Sequence, residues 1–228
     1  MTWTPFYIDL DGVEAAVFGG GTVATRRALM LSRAGAKVRV YSLQFTRELE
    51  EEASRNRYIS LERVDLSSAD IEGLIGDALI VVVATSDESI NQRILEAAKR
   101  MRRLVNYPPD GRRGNLIVPF RGETSYGLHY AITSLGATGI AARRARDLVG
   151  RILEEDQGIR VWYEAMSRVK KLLKSSIGDH KLRYRLYFIV EKDPEFSRAL
   201  ERGDLDRALR RAQEIVLQHL QGSSQPQG

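Results

Sequence analysis

A short, mainly apolar run, Val13 to Phe18, opens directly into Gly19-Gly20-Gly21, and no other feature of this chain limits its fold as strongly. From Thr22 to Ala34 the residues Val23, Ala24, Ala28, Leu29 and Leu31 recur at helical spacing, and Gly35 stands where a C-terminal glycine ends a helix. Lys37 to Tyr41 reads as a second strand. Strand, glycine turn, helix and strand within about 30 residues form a βαβ unit, whose crossover makes the two strands parallel.

The pattern continues with a polar helix over Thr46–Asn56, a strand over Ile59–Arg63 and a helical turn over Asp70–Leu74. Leu79 to Ala84 is a β-branched run without polar alternation, as expected of a strand buried on both faces. An amphipathic helix follows over Ser89–Arg102, then a last short strand, Leu104–Asn106. A Rossmann-like parallel sheet therefore ends near Pro108-Pro109, where two prolines break regular structure. Beyond it, Asn115–Pro119 and Leu128–Ser134 read as strands separated by a turn at Arg121-Gly122-Glu123-Thr124, and Gly139–Leu153 as a helix. From Asp156 onward only helices are expected: one over Gly158–Leu173, one opening at Asp193-Pro194-Glu195 and one at Asp204. The fold class is thus α/β, followed by a small α+β segment and a C-terminal helical domain. The expected boundaries are 1–111, 112–152 and 153–221, with a disordered tail at 222–228.

The glycine turn has a chemistry. Gly19, Gly21 and Ala24 make G-x-G-x-x-A, a permitted form of the dinucleotide fingerprint. The first glycine permits the tight turn, the second admits a pyrophosphate to the backbone, and the third small residue lets helix and strand pack closely. The amides of Gly19, Gly20, Gly21, Thr22 and Val23 and the positive end of the helix dipole then face the phosphates. A ribose-binding carboxylate is expected some 20 residues after the first glycine. The second strand instead runs into Ser42-Leu43-Gln44, so Ser42 and Gln44 are the candidate ribose partners. Arg39 and Arg47 lie near enough in sequence to keep the phosphorylated cofactor open beside NAD.

Composition removes other chemistries. Cysteine is absent, which excludes disulfides, thiolate metal sites and cysteine nucleophiles, and three dispersed histidines (His129, His180, His219) do not suggest a metal site. His129 reads as structural. The longest apolar run falls far short of the roughly 20 residues of a membrane-spanning helix. No export signal is visible in MTWTPFYIDLDG, so a cytoplasmic, non-membrane protein is expected. The net charge is +5, and arginine supplies 28 of the 35 basic residues, which suits an anionic partner. Nucleic acid is not expected, because acidic residues are interspersed among the C-terminal arginines and no helix-turn-helix or RNP-like signature accompanies them.

In combination the motifs resemble those of the siroheme synthase N-terminal type, the precorrin-2 dehydrogenases with or without ferrochelatase activity. The segments that carry the resemblance are Asp9-Leu10-Asp11-Gly12, Val17-Phe18-Gly19-Gly20-Gly21-Thr22-Val23-Ala24, Ala84-Thr85-Ser86-Asp87-Glu88-Ser89-Ile90-Asn91, Val105-Asn106, and Ile132-Thr133-Ser134 through Arg143. The resemblance covers residues 5 to 150 in order. It implies a homodimer held by interlocking two-stranded extensions, a site in the cleft between domains, and NAD-dependent oxidation of precorrin-2 to sirohydrochlorin. It adds Ala84 and Thr85 to the cofactor set, and Asn106 and Ser134 to the substrate set. A tetrapyrrole with eight carboxylate arms calls for planar cations, which Arg112, Arg113 and Arg143 supply along with Arg121, Arg144 and Arg146.

One departure matters. The family's general acid/base aspartate falls three residues after the asparagine of its V-N-V-x-D segment. Here that position is Pro109, and the carboxylate comes one residue later, at Asp110, the catalytic candidate. A dehydrogenase is expected, with ferrochelatase activity left open. The alternative is a non-catalytic, NAD(H)-sensing regulatory protein, which the Pro109 departure and the missing ribose carboxylate both favour.

Overall fold

A computed structural model describes residues 3–222; beyond Gly222, the expected tail lies outside the described residues. The first half follows the anticipated order: β1 (Glu14–Phe18), α1 (Thr22–Arg33), β2 (Lys37–Ser42), α2 (Arg47–Ala53), β3 (Ile59–Arg63), α3 (Ile71–Ile75), β4 (Ile80–Val83), α4 (Glu88–Arg100) and β5 (Leu104–Asn106). The five strands form one parallel sheet in the order β3-β2-β1-β4-β5. The order reverses between β1 and β4, and the crevice at the carboxyl ends of those two strands is where open α/β sheets bind ligands.

The period of two along each strand builds two cores. Ala16 and Phe18 face one side, with Val81, Val83, Ile94, Leu95 and Tyr107. Ala15 and Val17 face the other, with Ala24, Ala28, Val38, Val40 and Val82. All four residues of β4 are buried, as the unalternating run requires. Ala24 and Ala28 are fully buried, and their small size sets α1 close against the sheet.

Helix starts are marked by capping side chains. Thr46 Oγ1 accepts from the Leu49 amide at 3.2 Å, Asp70 accepts from Gly73, and Asp87 accepts from Ser89 and Ile90. Thr46 also meets Thr25 Oγ1 at 2.7 Å, which ties α2 to α1. Helix α1 differs: its N-cap is Gly21, with no side-chain cap.

Two strands follow, β6 (Phe120–Glu123) and β7 (His129–Ile132), paired antiparallel. Asn115–Pro119 is not a strand, and β6 takes three of the four residues expected to turn. Asn115 explains the first error. Its side chain accepts from the Val105 amide, while the amides of Asn115 and Leu116 both donate to the Val105 carbonyl at 3.0 Å. The segment is thereby pinned to β5 without a ladder. The second error comes from the true turn, Thr124–Gly127, where Gly127 adopts φ +93° and its amide donates to the Thr124 carbonyl. Gly122 stays in the strand because the Tyr130 ring crosses it: a Cβ there would stand 2.2 Å from the Tyr130 hydroxyl.

The remaining elements are α5 (Gly139–Glu155), α6 (Gln157–Ser176), α7 (His180–Glu191), α8 (Pro194–Glu201) and α9 (Leu205–Gly222). Helix α7 was not anticipated as a separate element. Its Tyr184, Tyr187, Phe188, Ile189 and Val190 carry strand-type propensity, but Asp179 caps it through the Lys181 amide at 2.8 Å, and Leu186 and Val190 join the helical core. Asp193 caps α8, as its Asp-Pro-Glu start foretold.

Contacts divide the chain into two units, residues 1–119 with 133–139, and residues 120–132 with 140–228. The expected boundary at 111 therefore falls inside the first unit, and the stretch 112–152 is shared between the two. Among the described residues, no helix is long and apolar enough to cross a membrane.

Candidate functional site

The first unit brings the expected cofactor residues to one edge of the sheet. Gly19 leaves β1 at φ +117°, and a Cβ on it would stand 2.3 Å from the Ala84 carbonyl oxygen at the end of β4. Gly20 is equally confined from the other side, with the Gln44 carbonyl 1.9 Å and Ser42 Oγ 3.0 Å from the place of its Cβ. Gly19 to Val23, Ser42 to Gln44 and Ala84-Thr85 thus converge at the carboxyl ends of β1, β2 and β4. Gly21 is the exception among the three glycines: nothing lies within 4 Å of where its Cβ would be. Its φ of −81° is open to any residue, so glycine here leaves room rather than enabling a turn.

The combination fits a dinucleotide. An uncapped helix N-terminus beneath an open glycine offers backbone N–H groups to a pyrophosphate, with no side chain competing for them. Leu43 is exposed beside Gln44, just beyond the end of β2. No carboxylate stands at Ser42–Gln44. Arg63 donates to the Leu43 carbonyl at 3.2 Å and to Glu50 at 3.0 Å.

The β4–α4 loop is locked by a residue the sequence reading did not single out as functional. Asn91 is buried, and its Oδ1 accepts from the Thr85 amide at 3.2 Å and the Thr85 hydroxyl at 2.7 Å, while its Nδ2 donates to the Thr85 carbonyl at 3.1 Å. The available signal was a polar residue on the apolar face of a helix that otherwise buries Ile94, Leu95 and Ala98.

Among the expected substrate residues, the first unit holds Asn106, Arg112, Arg113 and Ser134. Asn106 is buried at the end of β5, its Nδ2 donating to the Leu116 carbonyl at 3.0 Å, while its Oδ1 has no partner. Arg113 is engaged within the protein. It pairs with Glu88, donates to Gln92, and lies 4.6 Å from the centre of the Tyr107 ring. The Tyr107 hydroxyl donates to the same Glu88 carboxylate at 2.7 Å. These two donors hold Glu88 below the usual carboxylate range, and burial raises the Tyr107 phenol. Glu88, Gln92 and Tyr107 are further residues that sequence reasoning missed, since nothing in their spacing reveals the pairing.

Asp110 sits in a turn. Its carboxylate accepts from Arg112 Nε at 3.2 Å and from the Arg112 amide at 3.1 Å. These bonds, reinforced by the charge of Arg113, hold Asp110 below the ordinary aspartate value, so it is ionised at neutral pH. Ser134 belongs to the same unit, its Oγ donating to the Thr138 carbonyl and accepting from the Thr138 amide, both at 2.9 Å. Gly136, two residues on, would place a Cβ 4.0 Å from the Gly111 amide, so the Thr133–Gly139 turn adjoins the Asp110 turn. Arg143 lies in the second unit, exposed on α5. His129 faces Glu123 across the hairpin at 3.5 Å.

The comparisons with known proteins point to the same class of cofactor. Residues 6–120, just over half of the chain, match the family described as "Putative NAD(P)-binding". A "Putative precorrin-2 dehydrogenase" of Methanocaldococcus jannaschii is 28% identical over 82% of this chain and 96% of its own length. The "Precorrin-2 dehydrogenase" of Methanosarcina barkeri is 26% identical over 96% of each chain. A siroheme synthase of Mannheimia succiniciproducens is 26% identical over 98% of this chain, which spans only 45% of that longer protein. The solved structure titled "SirC, precorrin-2 dehydrogenase" shares the fold, with a TM-score of 0.65 at 20% identity over 93% of this chain and 100% of that one. An open glycine turn at the strand reversal, a confined path on either side of it and a matching family over the same residues lead to one conclusion: the chain belongs to the NAD(P)-binding family that spans its first 120 residues.

Proposed function

We propose that this protein is an NAD-dependent dehydrogenase that converts precorrin-2 to sirohydrochlorin. The observation that carries the reading is the open, uncapped glycine turn at the strand reversal, in a chain that matches relatives named for this reaction across nearly their whole length. Under this reading the amides from Gly20 to Val23 hold the pyrophosphate, Ser42, Leu43 and Gln44 line the ribose end, and Ala84 and Thr85, fixed by Asn91, flank the nicotinamide. The cofactor supplies the hydride acceptor.

The balance is simple. A carbon–hydrogen bond of the substrate breaks, its electron pair leaves as hydride to the nicotinamide, a ring proton is released, and a new carbon–carbon double bond forms. Asp110 is the proton acceptor in this reading. Its hydrogen bonds from Arg112 keep it deprotonated and ready, though they also weaken it as a base. Asn106 and Ser134 position the macrocycle, and Arg112 and Arg113 meet its carboxylates. For Arg113 this requires sharing or leaving Glu88.

We further propose that the protein acts as a homodimer through the segment 112–152. Helix α5 buries only Ala142 and exposes Ile140, Leu148 and Ile152, with Phe120 exposed on β6. Exposed apolar side chains in that number on one helix and one strand of a small unit suit a second copy.

Anaerobic incubation of the purified protein with NAD and precorrin-2 tests the function. Sirohydrochlorin and NADH accumulating in equal amounts are expected. NAD binding without either product would refute the dehydrogenase and support a nucleotide sensor.

A further inference from the structure

Helix α1 carries two adjacent arginines in contrasting surroundings. Arg26 is exposed, whereas Arg27 is partly buried, its Nε shielded from solvent and without a hydrogen-bond partner. Among the described residues, Arg27 makes no hydrogen bond and no ion pair, and burial alone lowers its basicity, with no carboxylate near enough to offset it. Most arginines partly buried in this unit are provided for: Arg113 has Glu88, Arg39 has Glu14, and Arg103 has the Gly76 carbonyl. Desolvating a guanidinium without a counter-charge is costly, and such a group gains by meeting an anion.

The position of Arg27 on the helix says which anion is within reach. Val23, Arg27 and Met30 fall four and three residues apart, so they share one stripe of α1. Thr25 and Ser32, on the opposite flank of α1, meet Thr46 and Asn56 on the α2–β3 side, so this stripe faces the β4–β5 side, with Met30 at its inner end. Val23, at the outer end, is exposed at the ligand edge beside the open Gly21. Arg27 lies between them, and helical Cα–Cβ bonds tilt toward the helix N-terminus, which here is the glycine turn. On that same β5 side the buried Asn106 keeps an unpaired Oδ1. The stripe thus runs from the cofactor turn down the β4–β5 flank of α1, and the Arg27 side chain leans back along it toward the carboxyl edge, where Asn106 ends β5.

We propose that Arg27 is a substrate-binding residue, its guanidinium donating hydrogen bonds to a carboxylate arm of the tetrapyrrole on the Asn106 side of the sheet. This rests on the dehydrogenase reading and deepens it by naming a cation that neither the motifs nor the arginine cluster after residue 111 indicated. The pyrophosphate of the cofactor is the other anion near this edge, and the test separates the two.

The experiment measures sirohydrochlorin binding by fluorescence quenching and NAD binding by calorimetry, for the full chain and for Arg27→Gln, Arg27→Lys and Arg26→Gln. Arg27→Gln is expected to weaken sirohydrochlorin binding at least tenfold, and to leave the NAD dissociation constant within twofold. Its melting temperature should not fall, because the change removes an uncompensated charge. Arg27→Lys should recover binding to within threefold, and Arg26→Gln should match the parent. Unchanged sirohydrochlorin binding in Arg27→Gln overturns the proposal, as does weakened NAD binding with the tetrapyrrole unaffected. If the parent protein itself does not bind sirohydrochlorin, the dehydrogenase reading falls together with this one. If it binds and Arg27→Gln binds equally well, only the role of Arg27 falls.

Discussion

Replacing each of two neighbouring glycines by alanine should have opposite consequences, and the contrast tests how the turn works. At Gly21 the backbone is extended and nothing lies within 4 Å of the new methyl group. Alanine is a poorer N-cap than glycine by roughly 0.5–1 kcal/mol. It also restricts the unfolded chain, a gain of about 0.4–1 kcal/mol. The two nearly cancel, so the melting temperature should move by no more than about 2–4 °C, the shift that 1 kcal/mol produces in a protein of this size. The methyl group nonetheless stands where a pyrophosphate must approach. Losing one charge-assisted hydrogen bond costs about 1.5–3 kcal/mol, which weakens NAD binding by roughly 10- to 100-fold.

At Gly20 the methyl group would meet the Gln44 carbonyl at 1.9 Å, and a backbone atom cannot swing aside as a side chain can. Overpacking of this kind costs typically 1–3 kcal/mol, and here the upper end applies, with a fall of roughly 6–12 °C. Thermal melts and NAD calorimetry on both variants decide the matter. Wild-type NAD affinity in Gly21→Ala, or wild-type stability in Gly20→Ala, would refute the reasoning.

Other consequences follow from the same geometry. Asp110→Asn should slow turnover at least tenfold while leaving the NAD dissociation constant intact; an unchanged rate would remove Asp110 from the mechanism. Because Arg112 stabilises the charged form of Asp110, that carboxylate should stay ionised below the ordinary value of about 3.9, and Arg112→Ala should move its titration upward, as carboxyl NMR would register. Asn91→Ala removes three hydrogen bonds to Thr85 and should cost about 1–3 kcal/mol in urea unfolding, with weaker NAD binding. In the helical unit Asp193 both caps α8 and pairs with Arg211 at 2.9 Å. Its folded-state ionisation is depressed, so its contribution is present above about pH 3.9 and fades as pH falls through the lowered folded value. Asp193→Ala should lower stability by about 1–3 kcal/mol at neutral pH, and by progressively less in acid. Leu148→Glu with Ile152→Glu should convert a dimer to a monomer in sedimentation; an unaffected dimer would move the interface elsewhere.

Most of the parallel sheet was legible because its signals are local. The glycine turn, the apolar run into β4 and the capping aspartates each act within a few residues of themselves, and Ile59–Arg63 and Leu104–Asn106 fall where the residues placed them. The hairpin was misread because its turn is set by Gly127 and by bonds between Thr124 and Leu128, while Arg121-Gly122-Glu123 has the composition of a turn but lies in a strand under the Tyr130 ring. The glycine turn between β1 and α1 was legible for the same local reason. Asn91 is bonded six residues away, and Glu88 meets Arg113 across 25 positions, so neither partnership has a spacing that a single chain could advertise. Asp110 stands one residue beyond the place its motif demands, and it is the Arg112 contact that identifies it as an ionised carboxylate.

The central claim is that the amides following Phe18 hold a dinucleotide. Titrating isotopically labelled protein with NAD and following backbone amide resonances tests it directly. Saturable shifts at Gly21, Thr22, Val23, Ala84 and Thr85, with helices α7 to α9 unmoved, are the predicted result. Shifts that leave those five amides in place would contradict it.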